Sequence, residues 1–376
     1  MSTLKTINVI HPSSAVNNIV NDASGNVAMG GTLAMASSFK RNRIINGNMV
    51  VDQRNAGASV TISGSGYYTV DRFALVSTQA SKFSAQQSST APAGFTKSLL
   101  LTSLSAYTVL AADAFALEQR IEGFNVADLN WGSSAAKTVN LSFSVYSSLT
   151  GTFGGAIGNI AGTRSYPFTY TISSANTWTT ISVTISGDTT GTWLTDNSCG
   201  MRVIFGIGVG STYSGTAGAW AAAQYLSATG AVSVVGTNGA TFYVTGVQLE
   251  VGTKATPYEM QIYSDQLAQC QRYYWKTYNQ STVPGAASST ATYRTRAYVG
   301  SYAAAVVQFP VLMRTTPTVT LYNPVTGGTN SWYNTDASTS ATANMSTVME
   351  SAATTESNFL TTNNSYFFQI VASAEL

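Results

Sequence analysis

Charged residues are scarce in this chain of 376 residues, at 9% against about 25% in an average soluble protein. The formal net charge is only +2. Binding of nucleic acid depends on clustered Lys and Arg that neutralise phosphates, and the closest cluster here is Lys40, Arg41 and Arg43. The composition therefore argues against a nucleic-acid partner and predicts an uncharged surface of Ser, Thr, Asn, Gly and Ala.

Histidine and cysteine are also scarce, which excludes several kinds of catalytic and metal site. The single histidine, His11, stands beside Pro12 in an extended N-terminal segment, so no Ser-His-Asp or Cys-His arrangement is expected within a fold. Cys199 and Cys270 are too few for a disulfide framework and have no partner at metal-binding spacing. Both are predicted to be buried thiols, and neither a catalytic nor a metal site is expected.

Long apolar runs are missing as well. None reaches the roughly 18 residues of a membrane span, and the first residues, MSTLKTINVIHPSSAV, lack the apolar centre of a signal peptide. We therefore expect a protein made in a cytoplasm, without membrane insertion or export by the secretory route. Release by cell lysis, as part of a particle, reconciles this expectation with the low-charge, Ser/Thr-rich surface.

Hydrophobic residues, 44% of the chain, follow the period of β-strands through most of the sequence. In TVNLSFSVY, the residues at every second position from Val139 to Val145 are apolar, and those between are polar. Similar alternation occurs in FALEQRI, YPFTYTI, ISVTI, MRVIFGIGV and, from Tyr243 to Val251, in YVTGVQLEV. One-sided alternation is typical of antiparallel sheets with one solvated face, so residues 41–262 are predicted to form a jelly-roll β-sandwich.

Residues 1–40 are predicted to form an extended arm without a core of its own. Strand-like pieces at residues 6–10, 18–20 and 26–29 carry the apolar side chains of Ile7, Val9, Ile19, Val27 and Met29. Such short pieces cannot bury themselves. We therefore expect a partner to cover the arm, either further copies of this chain or a larger assembly.

A short helix and a second β domain are predicted after the sandwich. In YSDQLAQCQRYYW, Ser264 is a candidate N-cap, and Leu267, Cys270 and Tyr274 fall at i, i+3 and i+7 on one helical face. Residues 263–278 are therefore predicted to be a linking helix. Residues 279–376 begin with a turn-rich linker, resume the strand pattern and are predicted to form a smaller β-sandwich tip domain.

The carboxylates are not spaced for glycan hydrolysis. Glycosidases place two carboxyl groups roughly 5 to 10 Å apart. The nearest cluster here is Glu118 and Glu122, which a strand would put on one face about 13 Å apart. We therefore expect a protein that is not an enzyme. Hydrolysis stays open as an alternative, because carboxylates distant in sequence can meet in a fold.

Aromatic residues beside small polar ones are the candidates for binding. Sugar rings pack on aromatic faces while neighbouring amide and carboxylate groups take the hydroxyls, and such sites need no net charge. The best candidates are predicted to lie in a loop of the tip domain: Trp332 and Tyr333, with Asn330, Asn334 and Asp336. Packing of these aromatic rings onto their own domain or a neighbouring subunit is the alternative.

Other aromatic residues fall into two groups. Trp131 and Trp220 are flanked by glycine and small residues, which suggests loops, and both are further candidates for glycan binding. Trp178 adjoins an alternating strand and is predicted to be a core residue. The run from Tyr273 to Trp275 is predicted to pack the helix against its neighbours.

A series of motifs runs in order through most of the chain. They are NDASGNVAMGGT, RNRIINGNMVVDQR, YTVDRFAL, VTGVQLEVGTKATPYE leading to CQRYYWKT, and FPVLMRTTPTVTLYNP with the terminal AEL. Together these motifs resemble tail-fibre or tail-tip proteins of bacteriophages. The resemblance implies a jelly roll akin to carbohydrate-binding modules, a C-terminal tip domain, homotrimeric assembly and recognition of a bacterial surface receptor. Carbohydrate-binding jelly rolls often carry a structural calcium ion, whose ligands this sequence does not identify.

We therefore expect a non-enzymatic, homotrimeric tail-fibre protein of a virion, made in the host cytoplasm. Residues 1–40 would attach it to a phage tail or baseplate protein, and the distal domains would bind a host surface polysaccharide. Trimerisation would strengthen weak sugar contacts by avidity. The alternatives are a glycan-depolymerising hydrolase of the tailspike type and a purely structural tail component.

Overall fold

The computed structural model describes residues 40–287, 292–297, 301–358 and 360–376, together with the backbone of three short N-terminal strands. The chain divides into two compact units, Met1–Arg41 and Asn42–Leu376. Within the described residues, no helix has the length and apolar character needed to cross a membrane.

The first unit contains a small antiparallel sheet. Its strands are β1 (Asn8–Val9), β2 (Ile19–Asn21) and β3 (Val27–Met29), with β2 in the centre. The three strand-like pieces predicted here are thus present and pair with one another. Ile7 and His11 lie outside the described residues.

Residues after this unit form a jelly-roll sandwich of two six-stranded antiparallel sheets. One sheet has the strand order β13-β10-β17-β8-β7-β4, and the other has β12-β11-β14-β9-β6-β5. A short parallel pair, β15 and β16, forms a separate two-stranded sheet that packs against β11 and β12. The strands are β4 (Val60–Thr61), β5 (Tyr67–Tyr68), β6 (Phe73–Ser77), β7 (Phe83–Ser88), β8 (Ser98–Ser103), β9 (Ala114–Glu122), β10 (Val139–Ser147), β11 (Gly151–Gly158), β12 (Ser165–Ile172), β13 (Thr179–Ile185), β14 (Cys199–Val209), β15 (Ser214–Gly215), β16 (Ser227–Ala228) and β17 (Thr241–Val251).

The core of the jelly roll lies between the two sheets and confirms the predicted alternation. The apolar positions of β10 from Val139 to Val145 are all buried. Phe143 meets two rings of the facing sheet edge-on, with centroids 5.1 Å from Tyr170 and 4.9 Å from Phe205. Burial of each such side chain contributes about 1.5 to 3 kcal/mol, so the apolar side chains between the two sheets supply the main driving force for this fold. The polar residues of β10 between them, Asn140, Ser142 and Ser144, are also buried, so the expected solvated face is absent in this strand.

Strand β17 departs from strict alternation. Its pairing with β10 shifts between Thr245 and Gln248, where Gly246 takes a φ of +63°. Before this bulge Phe242 and Val244 face the core, and after it Val247 and Leu249 do. The prediction that Tyr243 shares one buried face with Leu249 is therefore wrong, because the extra residue of the bulge changes which positions point inward.

The predicted linking helix is shorter than expected. Helix α1 spans Tyr263–Gln271, its N-cap is Ile262, and no side chain caps it, so Ser264 lies inside the helix. Tyr274 is not helical but lies in a strand. Cys270 and Cys199 are both buried and free, as predicted.

A smaller C-terminal β-sandwich follows the helix. Its longest strand, β26, pairs with four others, β18, β19, β21 and β22, and a second sheet has the order β20-β25-β24. The run from Tyr273 to Trp275 is buried, which confirms its predicted packing role. The strands are β18 (Tyr274–Lys276), β19 (Tyr293–Arg296), β20 (Ala303–Gln308), β21 (Thr318–Tyr322), β22 (Ser331–Asn334), β23 (Thr339–Thr342), β24 (Asn344–Val348), β25 (Ala352–Ser357) and β26 (Ser365–Ser373).

Buried ion pairs join the two sandwiches. Glu375, just after β26, pairs with Arg54 at 2.9 Å and with Arg72, and both arginines belong to the jelly roll. Glu122 on β9 accepts a hydrogen bond from Arg272 at 2.6 Å and one from the Tyr273 hydroxyl at 2.6 Å. These contacts fix the C-terminal sandwich against the jelly roll, because separating them would leave charges without partners.

Candidate functional site

Trp332, the first binding candidate of the C-terminal sandwich, is a core residue. It lies in strand β22 instead of a loop and is completely buried. Its ring stacks on Phe368 with centroids 5.5 Å apart, and its indole N–H donates to the Thr355 hydroxyl at 3.2 Å. The prediction of a loop position is wrong for Trp332, since every second residue of β22 faces the core, and its indole is out of reach of a ligand.

The polar neighbours of Trp332 build a turn. The Asn334 side-chain oxygen accepts the backbone N–H groups of Asp336 and Ala337, both at 3.1 Å. Asp336 in turn accepts the backbone N–H of Ser365 at 2.6 Å. Tyr333 is half-buried, and Asn330 is exposed with a φ of +53°. The hydrogen bonds of Asn334 and Asp336 stabilise the β22–β23 connection, and a glycan-binding role for these residues stays a prediction.

Trp131 and Trp220, the two candidates in the jelly roll, come together around a third tryptophan. The ring centroid of Trp131 is 4.8 Å from that of Trp193 and 5.2 Å from that of Trp220, in edge-on arrangements. Trp193 and Trp220 are 5.6 Å apart. Trp131 is buried and the other two are half-buried, so the three indoles form one cluster at the margin of the core.

Trp131 and Trp193 lie on two loops, which follow β9 and β13 and are held together by backbone hydrogen bonds, whereas Trp220 lies between β15 and β16. Gly132 N–H donates to the Asp188 carbonyl at 2.7 Å, and Gly123 N–H donates to the Ser198 carbonyl at 2.8 Å. Gly132 has a φ of +89°, and a Cβ there would lie 2.7 Å from the carbonyl oxygen of Gly191. Glycine is therefore required for this close approach of the loops.

A buried ion pair orients the Trp193 indole. Arg164 donates two hydrogen bonds to Asp188, at 2.7 and 2.6 Å, and Asp188 also accepts the indole N–H of Trp193 at 3.2 Å. Burial alone would raise the pKa of Asp188, but hydrogen bonds from Arg164 and from the Thr190 backbone outweigh burial, so its pKa is lowered. Asp188 thus stays ionised at neutral pH and holds the Trp193 ring in place.

A cavity of about 250 Å³ opens between the two loops, and we name it the indole pocket. Trp131 and Trp193 provide its aromatic wall, and no charged side chain lines it. The complete lining is Val126, Ala127, Asn130, Trp131, Ser133, Trp193, Leu194, Thr195 and Met201. Rigid aromatic rings beside amide and hydroxyl groups are suited to a neutral, hydroxyl-rich ligand.

Trp193 was not among the residues predicted to bind, although its sequence context carried a signal. The residue stands in DTTGTWLTDN, a run of turn-forming residues directly after the strand ISVTI. This is the same kind of context that made Trp332 a candidate. Which of the two indoles would be accessible depends on packing between loops and strands far apart in sequence.

A second aromatic group lies on the outer face of the β13-β10-β17-β8-β7-β4 sheet. Tyr146 is paired with Tyr243 across β10 and β17, with ring centroids 5.0 Å apart, and Trp178 lies 5.5 Å from Tyr146. All three rings are half-buried. The prediction that Trp178 is a core residue is therefore wrong. Tyr146 could have been found, since it continues the polar positions Asn140, Ser142 and Ser144 of its strand.

The carboxylates Glu118 and Glu122 are held in ion pairs. Glu118 is fully buried between Arg120, at 2.7 Å, and Arg202. Glu122 is bound to Arg272, and its pKa is lowered: burial acts to raise it, but the hydrogen bonds from Arg272 and Tyr273 prevail. Neither carboxylate is placed to protonate or attack a glycan. In the parts of the chain described by the structure, no group of three or more His, Cys, Asp and Glu side chains could hold a metal ion.

Comparison with known proteins gives only distant similarities. No protein-family model matches the sequence, and no curated protein matches it. The enzymatically active domain of tailspike protein 4 of bacteriophage CBA120 is 12% identical with a TM-score of 0.31, covering 56% of this chain and 22% of that one. A family 11 carbohydrate-binding module from Clostridium thermocellum, in complex with a β-1,3-1,4-mixed-linked tetrasaccharide, is 13% identical with a TM-score of 0.28, covering 52% of this chain and 98% of that one. Because both TM-scores are below 0.5, these similarities carry no conclusion on what this chain binds.

Proposed function

We propose that this protein is a receptor-binding fibre protein of a bacteriophage tail, and that it binds a host surface glycan in the indole pocket without cleaving it. The observation that supports the glycan most directly is the indole pocket itself. Two indole rings line an uncharged cavity together with Asn130, Ser133 and Thr195. The Trp193 indole is held by a buried ion pair and the Trp131 indole by the Lys137 carbonyl.

The physical match between this pocket and a sugar has two parts. C–H faces of a pyranose ring pack on aromatic surfaces, and the rings of Trp131 and Trp193 are already fixed before the ligand arrives. Amide and hydroxyl side chains at the other positions can exchange hydrogen bonds with sugar hydroxyls. A chain with 9% charged residues achieves such recognition without electrostatic attraction.

The location in a virion is supported by the motifs from NDASGNVAMGGT to the terminal AEL, which resemble phage tail fibres. In this proposal residues 1–40 attach the protein to a tail or baseplate protein and assemble it as a homotrimer. Three pockets presented together would turn weak binding of single sugars into firm adsorption.

Replacing Trp193 tests the site. We expect Trp193→Ala to weaken binding of host envelope polysaccharide by about tenfold, the equivalent of about 1.4 kcal/mol, because one stacking surface is lost. The measurement is saturable binding of purified protein to the polysaccharide, with reducing ends followed in parallel. Trp178→Ala, the same change at another half-buried tryptophan of the jelly roll, serves as the control and should bind like the wild type.

Three other results would change the proposed function or the position of the site. Release of reducing ends by the wild type would replace the proposal by the hydrolase alternative. Absence of binding, together with failure to block phage adsorption, would support a purely structural tail component. Loss of binding in Trp178→Ala alone would move the site to the outer aromatic group.

A further inference from the structure

Part of the lining of the indole pocket is apolar and not aromatic. A sugar with hydroxyl groups all round its ring would find no hydrogen-bond partner there. Four of the nine lining residues are aliphatic or thioether side chains, namely Val126, Ala127, Leu194 and Met201. Val126 and Met201 are buried and belong to the jelly-roll core, so they cannot turn away to make room for water. Leu194 is exposed, with 37% of its surface accessible.

The size of the pocket limits the ligand to one residue of a glycan. A volume of about 250 Å³ accommodates a single pyranose ring with one substituent, whereas a chain of several residues needs a long groove. The two flanking loops are joined by backbone hydrogen bonds at Gly123 and Gly132.

The charge of the pocket limits the ligand further. The nearby ionised pair, Arg164 and Asp188, is mutually neutralised by two hydrogen bonds, and Asp188 is 1% exposed. A carboxylate on the sugar would therefore enter a site without a counter-charge and would lose its hydration.

We propose that the indole pocket binds one terminal, uncharged sugar residue that bears a methyl-containing group, either an acetyl substituent or the methyl group of a 6-deoxy sugar. The inference rests on the proposed glycan-binding function. The methyl group lies against Val126, Leu194 and Met201, the ring packs on the indoles, and the remaining hydroxyls face Asn130, Ser133 and Thr195. A hydroxyl group on the apolar side would lose its hydrogen bonds to water without replacement.

Matched monosaccharides test this selectivity. The probes are three pairs: N-acetylglucosamine against glucose, D-fucose against D-galactose, and glucose against glucuronate. Each sugar competes with host polysaccharide for the full-length protein. We expect the methyl-bearing member of each of the first two pairs to compete about tenfold better, the usual effect of one apolar group in a fitted pocket, and glucuronate not to compete.

A variant of the apolar side provides the second readout. Leu194→Asn changes an exposed position and should lower the ratio between the competition strengths of N-acetylglucosamine and glucose. Thr195→Val, on the polar side, should weaken both sugars and keep the ratio. Folding of each variant is checked by its thermal unfolding transition.

The results separate this inference from the proposed function. If the polysaccharide binds but no monosaccharide competes, or the paired sugars compete equally, the selectivity proposed here is wrong and glycan binding stands. The proposed selectivity would also be overturned if Leu194→Asn had the same ratio between N-acetylglucosamine and glucose as the wild type. If neither polysaccharide nor monosaccharide binds, the proposed function fails and this inference with it.

Discussion

Asp71 is a buried carboxylate whose ionisation should affect stability. It accepts hydrogen bonds from Gln53, at 3.1 Å from the backbone N–H and 2.5 Å from the side chain, and lies 3.3 Å from Arg54. Burial raises its pKa to about 6, although the Arg54 charge and the Gln53 hydrogen bonds act in the opposite direction. The side-chain amide of Gln53 also donates to the Tyr274 carbonyl, so this carboxylate is part of the contact between the sandwiches.

The pH dependence of stability should report this carboxylate. The pKa of about 6 in the folded protein exceeds the ordinary value of about 3.9 in an unfolded chain, so folding favours the protonated form. The contribution of Asp71 to the free energy of unfolding is fully present below about pH 4 and is lost as the pH rises through about 6, a change of up to about 3 kcal/mol. We measure the free energy of unfolding in urea from pH 4 to 7 for the wild type and for Asp71→Asn. The wild-type value minus the variant value should fall as the pH rises. A difference that is constant with pH would contradict this assignment; Asp265→Asn, at an exposed position, is the control.

At the residue scale, neighbouring sequence alone could not rank the tryptophans. Trp332 and Trp193 both stand among Gly, Thr and Asn, yet one is in the core of a sandwich and the other lines a pocket. The difference arises from long-range pairing: β22 joins β26, whereas the Trp193 loop meets the loop after β9. The sequence did identify two members of the cluster, Trp131 and Trp220, because glycine and small residues around them suggested loops.

Strands were the most predictable elements, and their irregularities the least. The alternation around Val139 and Phe168 correctly predicted buried faces, because the hydrophobic effect favours burial of the apolar side of each strand. The bulge in β17 could not be predicted in the same way, since Gly246 also fits a regular strand. Helix α1 begins without a side-chain cap, so the Ser264 signal was misleading, and its apolar face ends at Cys270.

Substitution of Gly246 tests the bulge. A Cβ at this position would lie 2.7 Å from the Phe95 ring, and the φ of +63° is unfavourable for alanine by about 1 to 2 kcal/mol. We expect Gly246→Ala to lower the free energy of unfolding by more than this backbone cost, because the Phe95 ring must also move. Gly239→Ala has a similar φ of +75° with open space around it and isolates the backbone effect. Equal losses for the two variants in urea unfolding would show that Phe95 adapts freely.

At the scale of the whole molecule, the open question is how many chains assemble. The all-β architecture with two sandwiches followed from composition and alternation, whereas the number of chains depends on surfaces that a single sequence does not reveal. In our proposal, residues 1–40 hold three chains together and attach them to the phage tail. The strands of the small β1-β2-β3 sheet have only two or three residues each, against a usual length of about five or six, which favours a partner for this sheet.

Analytical ultracentrifugation should give the mass of a trimer for the full-length protein and the mass of a monomer after deletion of residues 1–41. We expect the shortened protein to keep its affinity for a single sugar but to lose at least about 100-fold in apparent affinity for polysaccharide, since avidity requires linked sites. Calorimetry with a monosaccharide is the control for an intact pocket. A full-length protein that sediments as one chain would refute the proposed assembly.

The pairing of Glu375 with Arg54 and Arg72 has a mechanical consequence. Turning one sandwich against the other would strip counter-charges from groups that have 14% or less of their side chains exposed, at a cost of several kcal/mol. In the proposed fibre, tension between the phage tail and the host surface would therefore be transmitted across the contact between the two sandwiches without bending there.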